Sequence, residues 1–270
     1  YIFLSFGTLP STAQEAGAMF GGLVEGNFLS VFICFSIVFL TVFYVVSKGI
    51  KSGIERLNIL MMPSLFVLLI GLLLYAIFAS GNFTQALSFI FIPDFSKLLN
   101  AELILQALGL AFFSISMGVG TVATYAASLP DGTNLVKSTF SIVFINILIG
   151  IMMGLVVFSF IPIIDGQPAS EGAGLIFVSL TSLFAQMGIM GNILAIAFFI
   201  SLLFAGITSA VSMIEPFALY LIHKFQLSRN SAIMIIGVFV YILGTLCILS
   251  YYGVTSSYFS IPAAALGNEK

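Results

Sequence analysis

Residues 102–129 read ELILQALGLAFFSISMGVGTVATYAASL, a run long enough to cross a hydrocarbon core, for which ~20 mostly apolar residues suffice. Its middle is a poor helix: in FFSISMGVG, residues 112–120, Ser114 and Ser116 precede Gly118 and Gly120. Each glycine costs about 1 kcal/mol relative to alanine in a helix interior. Unwinding at membrane depth frees carbonyl and amide groups, which is tolerated only where they line a cavity or bind something. The alternative is close helix packing through small residues, also common in membranes. On that choice turns whether the run is one plain spanning helix or part of a site.

The rest of the chain sets the context. Of 270 residues, 60% are hydrophobic and 7% charged, against about 25% charged in soluble domains. The sequence therefore predicts an all-α integral membrane protein. Its net charge of -2 and lack of a basic run give no footprint for nucleic acid or a polybasic lipid-binding surface. Cys34 and Cys247 lie in separate apolar runs and read as small buried or lipid-facing residues. The first residue is Tyr1, and YIFLSFGTLPSTA has no basic start and only a short apolar run, unlike a signal peptide. The chain reads as a piece of a longer protein.

Six segments qualify as spanning helices: 28–47, 57–79, 102–129, 138–162, 191–222 and 230–252. Internal satisfaction of every backbone group favours a polytopic helix bundle over strands, here one partial domain over 1–270. Basic residues are retained on the cytoplasmic side. Lys48, Lys51 and Arg56, then Lys137, then Lys224 and Arg229 fall on one side if the helices alternate. The opposite loops hold Glu15, Glu25, Asp94, Asp165 and Glu171 but only Lys97 among bases, so the segment starts outside. Within the last outer loop, EGAGLIFVSLTSLFAQMG at 171–188 is apolar enough to form a short helix against the protein, as a lid or an interfacial helix. After Tyr252 the apolar pattern decays.

Enzyme signatures are nearly absent. His223 sits beside Lys224 at a helix end, where a cation favourably meets the dipole. No nucleophile elbow, metalloprotease motif or Cys-His cluster is present in the sequence. What remains is neutral oxygen. In FAGITSAVSMIEP, residues 204–216, Ala205, Thr208, Ser209 and Ser212 share one helix face. Hydroxyls beside a backbone carbonyl are the uncharged ligands an alkali cation accepts, although each can instead bond back to its own helix. Asn146 stands above Gly150 and Gly154 at four-residue steps. Glu215, just before Pro216, is the one acid well inside a spanning run: a candidate for ion coupling, or a structural partner of donors on a neighbouring helix.

GIERLNILMMP (53–63), ALGLAFFSISMGVGTVATYAASLPDGTN (107–134), FAGITSAVSMIEP and the outer EGAGLIFVSLTSLFAQ together resemble the bacterial neurotransmitter:sodium symporters. The resemblance runs from the end of the family's third helix through about its ninth. It implies part of the LeuT-like fold, two inverted five-helix repeats around a midplane site. It further implies that FFSISMGVG is the unwound part of the sixth helix. By resemblance, Phe113 closes over the substrate, and Ser116, Met117, Gly118, Val119, Ser209 and Met213 face it. Ser114 and Asn146 match ligands of one sodium; Ala205 through its carbonyl, Thr208 and Ser209 match ligands of another. Departures are Leu110 for the usual Gln, Gly150 for a chloride-binding Ser or substituting acid, and His223 for an inner-gate acid. Chloride dependence and the inner gate stay open.

The function this implies is sodium-coupled symport of an amino acid, with Na+ the coupling ion and the lipid bilayer of a bacterial cytoplasmic membrane the setting. Val119, where some relatives carry an aromatic residue, favours a bulkier apolar substrate. The alternatives are proton coupling through Glu215 and a non-transporting binding or accessory membrane protein.

Overall fold

The computed structural model describes residues 1–7, 9–26, 28–92, 95, 100–116, 118, 120–161, 163–164, 167–168 and 174–251. Asp94, Lys97, Asp165, Glu171, Met117, Val119 and the stretch 252–270, on which the sequence reading also drew, lie outside them.

The expected all-helical fold is present. In chain order the helices are α1 (Ala13–Gly26), α2 (Phe28–Ser47), α3 (Glu55–Ala79), α4 (Phe83–Phe91), α5 (Ala101–Ser114), α6 (Thr121–Ala127), α7 (Leu135–Phe160), α8 (Thr181–Gln186), α9 (Gly188–Phe225) and α10 (Arg229–Tyr251). A wide helical turn, Leu175–Leu180, leads into α8, and a similar one, Ile50–Ile54, joins α2 to α3. A two-residue antiparallel pair, β1 (Ile163–Ile164) and β2 (Gln167–Pro168), follows α7.

Among the described residues, five helices are long and apolar enough to cross a membrane: α2, the α3 segment, α7, α9 and α10. The run 102–129 is not one continuous helix, because its break divides it into 14 residues of α5 and seven of α6. Two helices have no counterpart among the expected spans. At α1, Thr12 and Glu15 form a reciprocal cap in which the Glu15 amide donates to Thr12 Oγ1 at 3.2 Å and the Thr12 amide to Glu15 Oε2 at 3.4 Å. At α4, nine residues pack along α7, where Ile90 lies against Gly154.

Buried side chains form two main clusters strung along α9. The outer one joins Leu72 and Ala76 of α3, Val156 and Phe160 of α7, Leu180 of the turn before α8, Phe184 of α8, and Phe198 of α9. The inner one joins Val42 and Val46 of α2 to Ile207, Val211 and Ala218 of α9 and Ile233 of α10. In lipid such contacts hold helices by van der Waals packing and polar bonds rather than by release of water. With 38 residues, at 1.5 Å per residue, α9 is about 57 Å long and overshoots a ~30 Å core. It is the spine against which α2, α3, α6, α8 and α10 pack.

Candidate functional site

α5 ends where the glycines and serines predicted trouble. Its last helical residue is Ser114, and Ser116 takes a left-handed φ of 56°. Such a φ is uncommon for a residue with a β-carbon. Gly120, at φ 78°, then turns the chain into α6. Phe113 is 75% exposed, and Gly118 is also exposed with nothing within 4 Å of where a β-carbon would stand. Met117 and Val119 lie outside the described residues.

One polar contact bridges the break to α7: Asn146 Nδ2 donates to Ser114 Oγ at 2.5 Å. The two residues are 32 positions apart, and each carries an oxygen able to meet a cation. Asn146 and Gly154 do share a helix face, but Gly154 is met by Ile90 of α4 rather than by a spanning helix, and Gly150 meets nothing within 4 Å.

The α9 cluster is built differently, on an unbroken helix. Thr208 is 3% exposed, and its hydroxyl lies within donating distance of two carbonyls of the preceding turn, Phe204 at 2.9 Å and Ala205 at 3.0 Å. Its single proton goes to one at a time. When it goes to Phe204, the second lone pair of the Ala205 carbonyl and both Thr208 lone pairs remain for a ligand. Ser212 Oγ donates to the Thr208 carbonyl at 2.9 Å, an ordinary back-bond. Ser209, one residue round the helix, is exposed, and so is Met213, four residues on. α6 packs on α9, with Tyr125 against the inner apolar cluster. Among the described residues, the buried hydroxyls of Thr121 and Tyr125 have no hydrogen-bond partner.

Glu215 is fully buried and doubly held: Arg229 Nη1 donates to Oε1 at 2.9 Å and Nη2 to Oε2 at 2.6 Å. The same guanidinium donates through Nε and Nη2 to the Val46 carbonyl at 3.0 and 2.7 Å. Residues of α9, α10 and the end of α2 are thus tied by one planar fork, the geometry for which arginine is suited. Arg229 escaped the sequence reading, which placed it only in a basic loop. After α9 ends at Phe225, Gln226 takes a left-handed φ of 54°. The three intervening residues can run back about 10 Å along α9, and the arginine side chain spans the rest. His223 stays in the last turn of α9, where its carbonyl accepts from Gln226 Nε2 at 2.9 Å.

An apolar helix bundle with one interrupted helix, and a hydroxyl–carboxamide contact beside the interruption, places the chain among polytopic membrane proteins. The profile of the Sodium:neurotransmitter symporter family matches residues 21–259, and the chain belongs to that family. It is 34% identical over 246 residues to an uncharacterized sodium-dependent transporter of Bacillus subtilis, YhdH, covering 91% of this chain and 53% of that protein. A bovine sodium-dependent dopamine transporter is 26% identical over 228 residues, 80% of this chain and 32% of that one. The crystal structure of MhsT in complex with L-phenylalanine superposes with a TM-score of 0.81 at 32% identity, covering 97% of this chain and 59% of that chain. The chain spans about half the length of the bacterial relative it matches.

Proposed function

We propose that the full-length protein is a sodium-coupled symporter for an apolar amino acid in a bacterial cytoplasmic membrane, working by alternating access around the break at 115–120. The observation that carries this reading is the Ser114–Asn146 contact between α5 and α7 at the edge of that break. It pairs a hydroxyl and a carboxamide beside freed backbone, as a site for a small cation and a zwitterion requires.

In this reading the Ala205 carbonyl and the Thr208 and Ser209 hydroxyls receive one sodium. Ser114 and Asn146 receive a second, nearer the substrate. Phe113 and Met213 cover the substrate side chain, and Ser116, Met117, Gly118 and Val119 meet its backbone or side chain. Each sodium raises substrate affinity and is in turn held more tightly by bound substrate, because coupling free energy is reciprocal. That linkage lets a sodium gradient drive uphill uptake. Glu215 takes the structural role rather than that of a proton carrier, since the Arg229 fork engages both of its oxygens and also holds α2. Supporting the substrate class, the similar structure of MhsT contains L-phenylalanine.

The test is radiolabelled L-phenylalanine in proteoliposomes of the full-length protein. Accumulation above equilibrium is expected with an inward sodium gradient. Equal uptake from sodium-free buffer under an imposed pH gradient would favour proton coupling, and saturable binding without flux would leave a non-transporting protein. Competition by leucine, phenylalanine and tryptophan tests the pocket: stronger competition by glycine or alanine overturns the apolar assignment.

A further inference from the structure

We infer that the groove between α2 and α10 holds one acyl chain of an anionic phospholipid from the cytoplasmic leaflet. This is independent of the transport reading. The groove has a volume of about 670 Å³ and is walled by Phe39, Leu40 and Phe43 on α2 and by Met234, Val238 and Ile242 on α10. It exists because the two helices meet through glycines. A β-carbon at Gly237 would stand 3.2 Å from the Phe43 ring, and one at Gly244 would stand 2.4 Å from the Phe35 ring. The rings of Phe35, Phe39 and Phe43 follow one another along α2, and Tyr241 stacks on Phe35 and lies against Phe39. Phe39, Phe43 and Tyr241 thus give the groove an aromatic wall.

Its length and its ends select the occupant. Along α2 the lining runs from Ser47 to Ser36, about 16 Å at 1.5 Å per residue, which is half of a ~30 Å hydrocarbon core. At the inner end of the groove Phe35 closes onto Gly244 and Phe32 onto Tyr241, while Ser36 Oγ and Tyr241 Oη satisfy each other at 3.0 Å. At the other end stand Ser47 and Asn230. Lys48 is next in the chain, its Nζ 5.0 Å above the ring of Tyr44, which borders the groove one turn from Leu40 and Ser47. Lys51 follows, exposed in the turn to α3. On the side that the basic residues assign to the cytoplasm, the mouth is thus polar and cationic. Each lysine near an anionic headgroup is worth about fivefold in occupancy.

The experiment uses the full-length protein in phosphatidylcholine nanodiscs doped with phosphatidylglycerol carrying a diazirine midway along one acyl chain. Photolabel is expected on α2 and α10 peptides, at least about fivefold above that from the matched phosphatidylcholine probe. Met234→Trp with Val238→Trp, both exposed positions, should remove that label several-fold while labelling of the outer face of α3 is unchanged. Lys48→Gln with Lys51→Gln should bring the two probes to equal labelling in the groove. Equal labelling by both probes in the unaltered protein overturns the inference. So does an unlabelled groove on a protein whose other lipid-facing helices label, since another helix of the longer chain or a second copy then covers it.

Discussion

The break between α5 and α6 and the hydroxyl cluster of α9 offer similar oxygens by opposite means. At the break the backbone abandons its helix, and the exposed Phe113 and Gly118 border it. On α9 the helix persists through Pro216, Thr208 is buried, and hydroxyls lean on carbonyls of the preceding turn. Among the described residues α5 buries no side chain, whereas α9 carries both main apolar clusters. In the proposed alternating-access cycle the α5–α6 side moves and α9 stays. The Glu215–Arg229 fork, seven residues below Thr208, helps fix the side that stays.

The sharpest way to break this comparison is Arg229→Ala. It leaves the fully buried Glu215 carboxylate unpaired and the Val46 carbonyl without its donors, a loss of about 3–5 kcal/mol. Thermal unfolding of the full-length protein in detergent should show it as the largest destabilisation of any single substitution proposed here. A melting temperature within a degree of the parent would mean that α9 does not depend on the fork. Next comes Thr208→Val, which keeps the shape and removes the hydroxyl. Removing a bond to a charged partner is worth about 1.5–3 kcal/mol, so the sodium concentration for half-maximal uptake should rise roughly tenfold or more, with little change in stability. An unchanged sodium dependence, in this variant and in Ser209→Ala, removes the ion site from α9. Gly120→Ala should cost less, about 1–2 kcal/mol, the penalty of placing a β-carbon at a left-handed φ. Substrate affinity should fall more than stability, because the neighbourhood of Gly120 has room for the new atom. A substitution that lowers stability alone would make the turn a folding device only.

What could be read from the sequence follows the range of the interactions. The break was legible because its causes are local: Ser114, Ser116, Gly118 and Gly120 each oppose a helix within a few residues. The spine was legible because apolar length is local too. α1 carried a capping signal, Thr12 and Glu15 three residues apart, which the sequence reading passed over beside the long apolar runs. α4 did not announce itself, since nine residues cannot span a membrane and the helix it packs along, α7, is distant in sequence. The partner of Glu215 was hidden for a geometric reason. Fourteen residues separate it from Arg229, and only the reversal at Gln226 brings the guanidinium back to it. Ser114 and Asn146 entered as a pair by resemblance alone, because no periodicity links residues on α5 and α7.

The smallest expected effect bears most directly on whether the mobile side is one site or two neighbouring groups. Ser114→Ala removes a contact that is exposed, so its direct cost is about 1 kcal/mol or less. If Ser114 and Asn146 act together on one cation, Ser114→Ala and Asn146→Ala should each weaken sodium-dependent substrate binding. The double variant should be no worse than the more damaging single one, a coupling of about 1 kcal/mol in the cycle. Additive losses would mean that the two side chains serve separate ligands and that their 2.5 Å contact is only a tether between α5 and α7. The same cycle run between Asn146 and Thr208 should be additive if the ions are separate. Coupling carried instead by the motion of α6 on α9 would appear as a deviation from additivity that vanishes when Gly120→Ala stiffens the hinge.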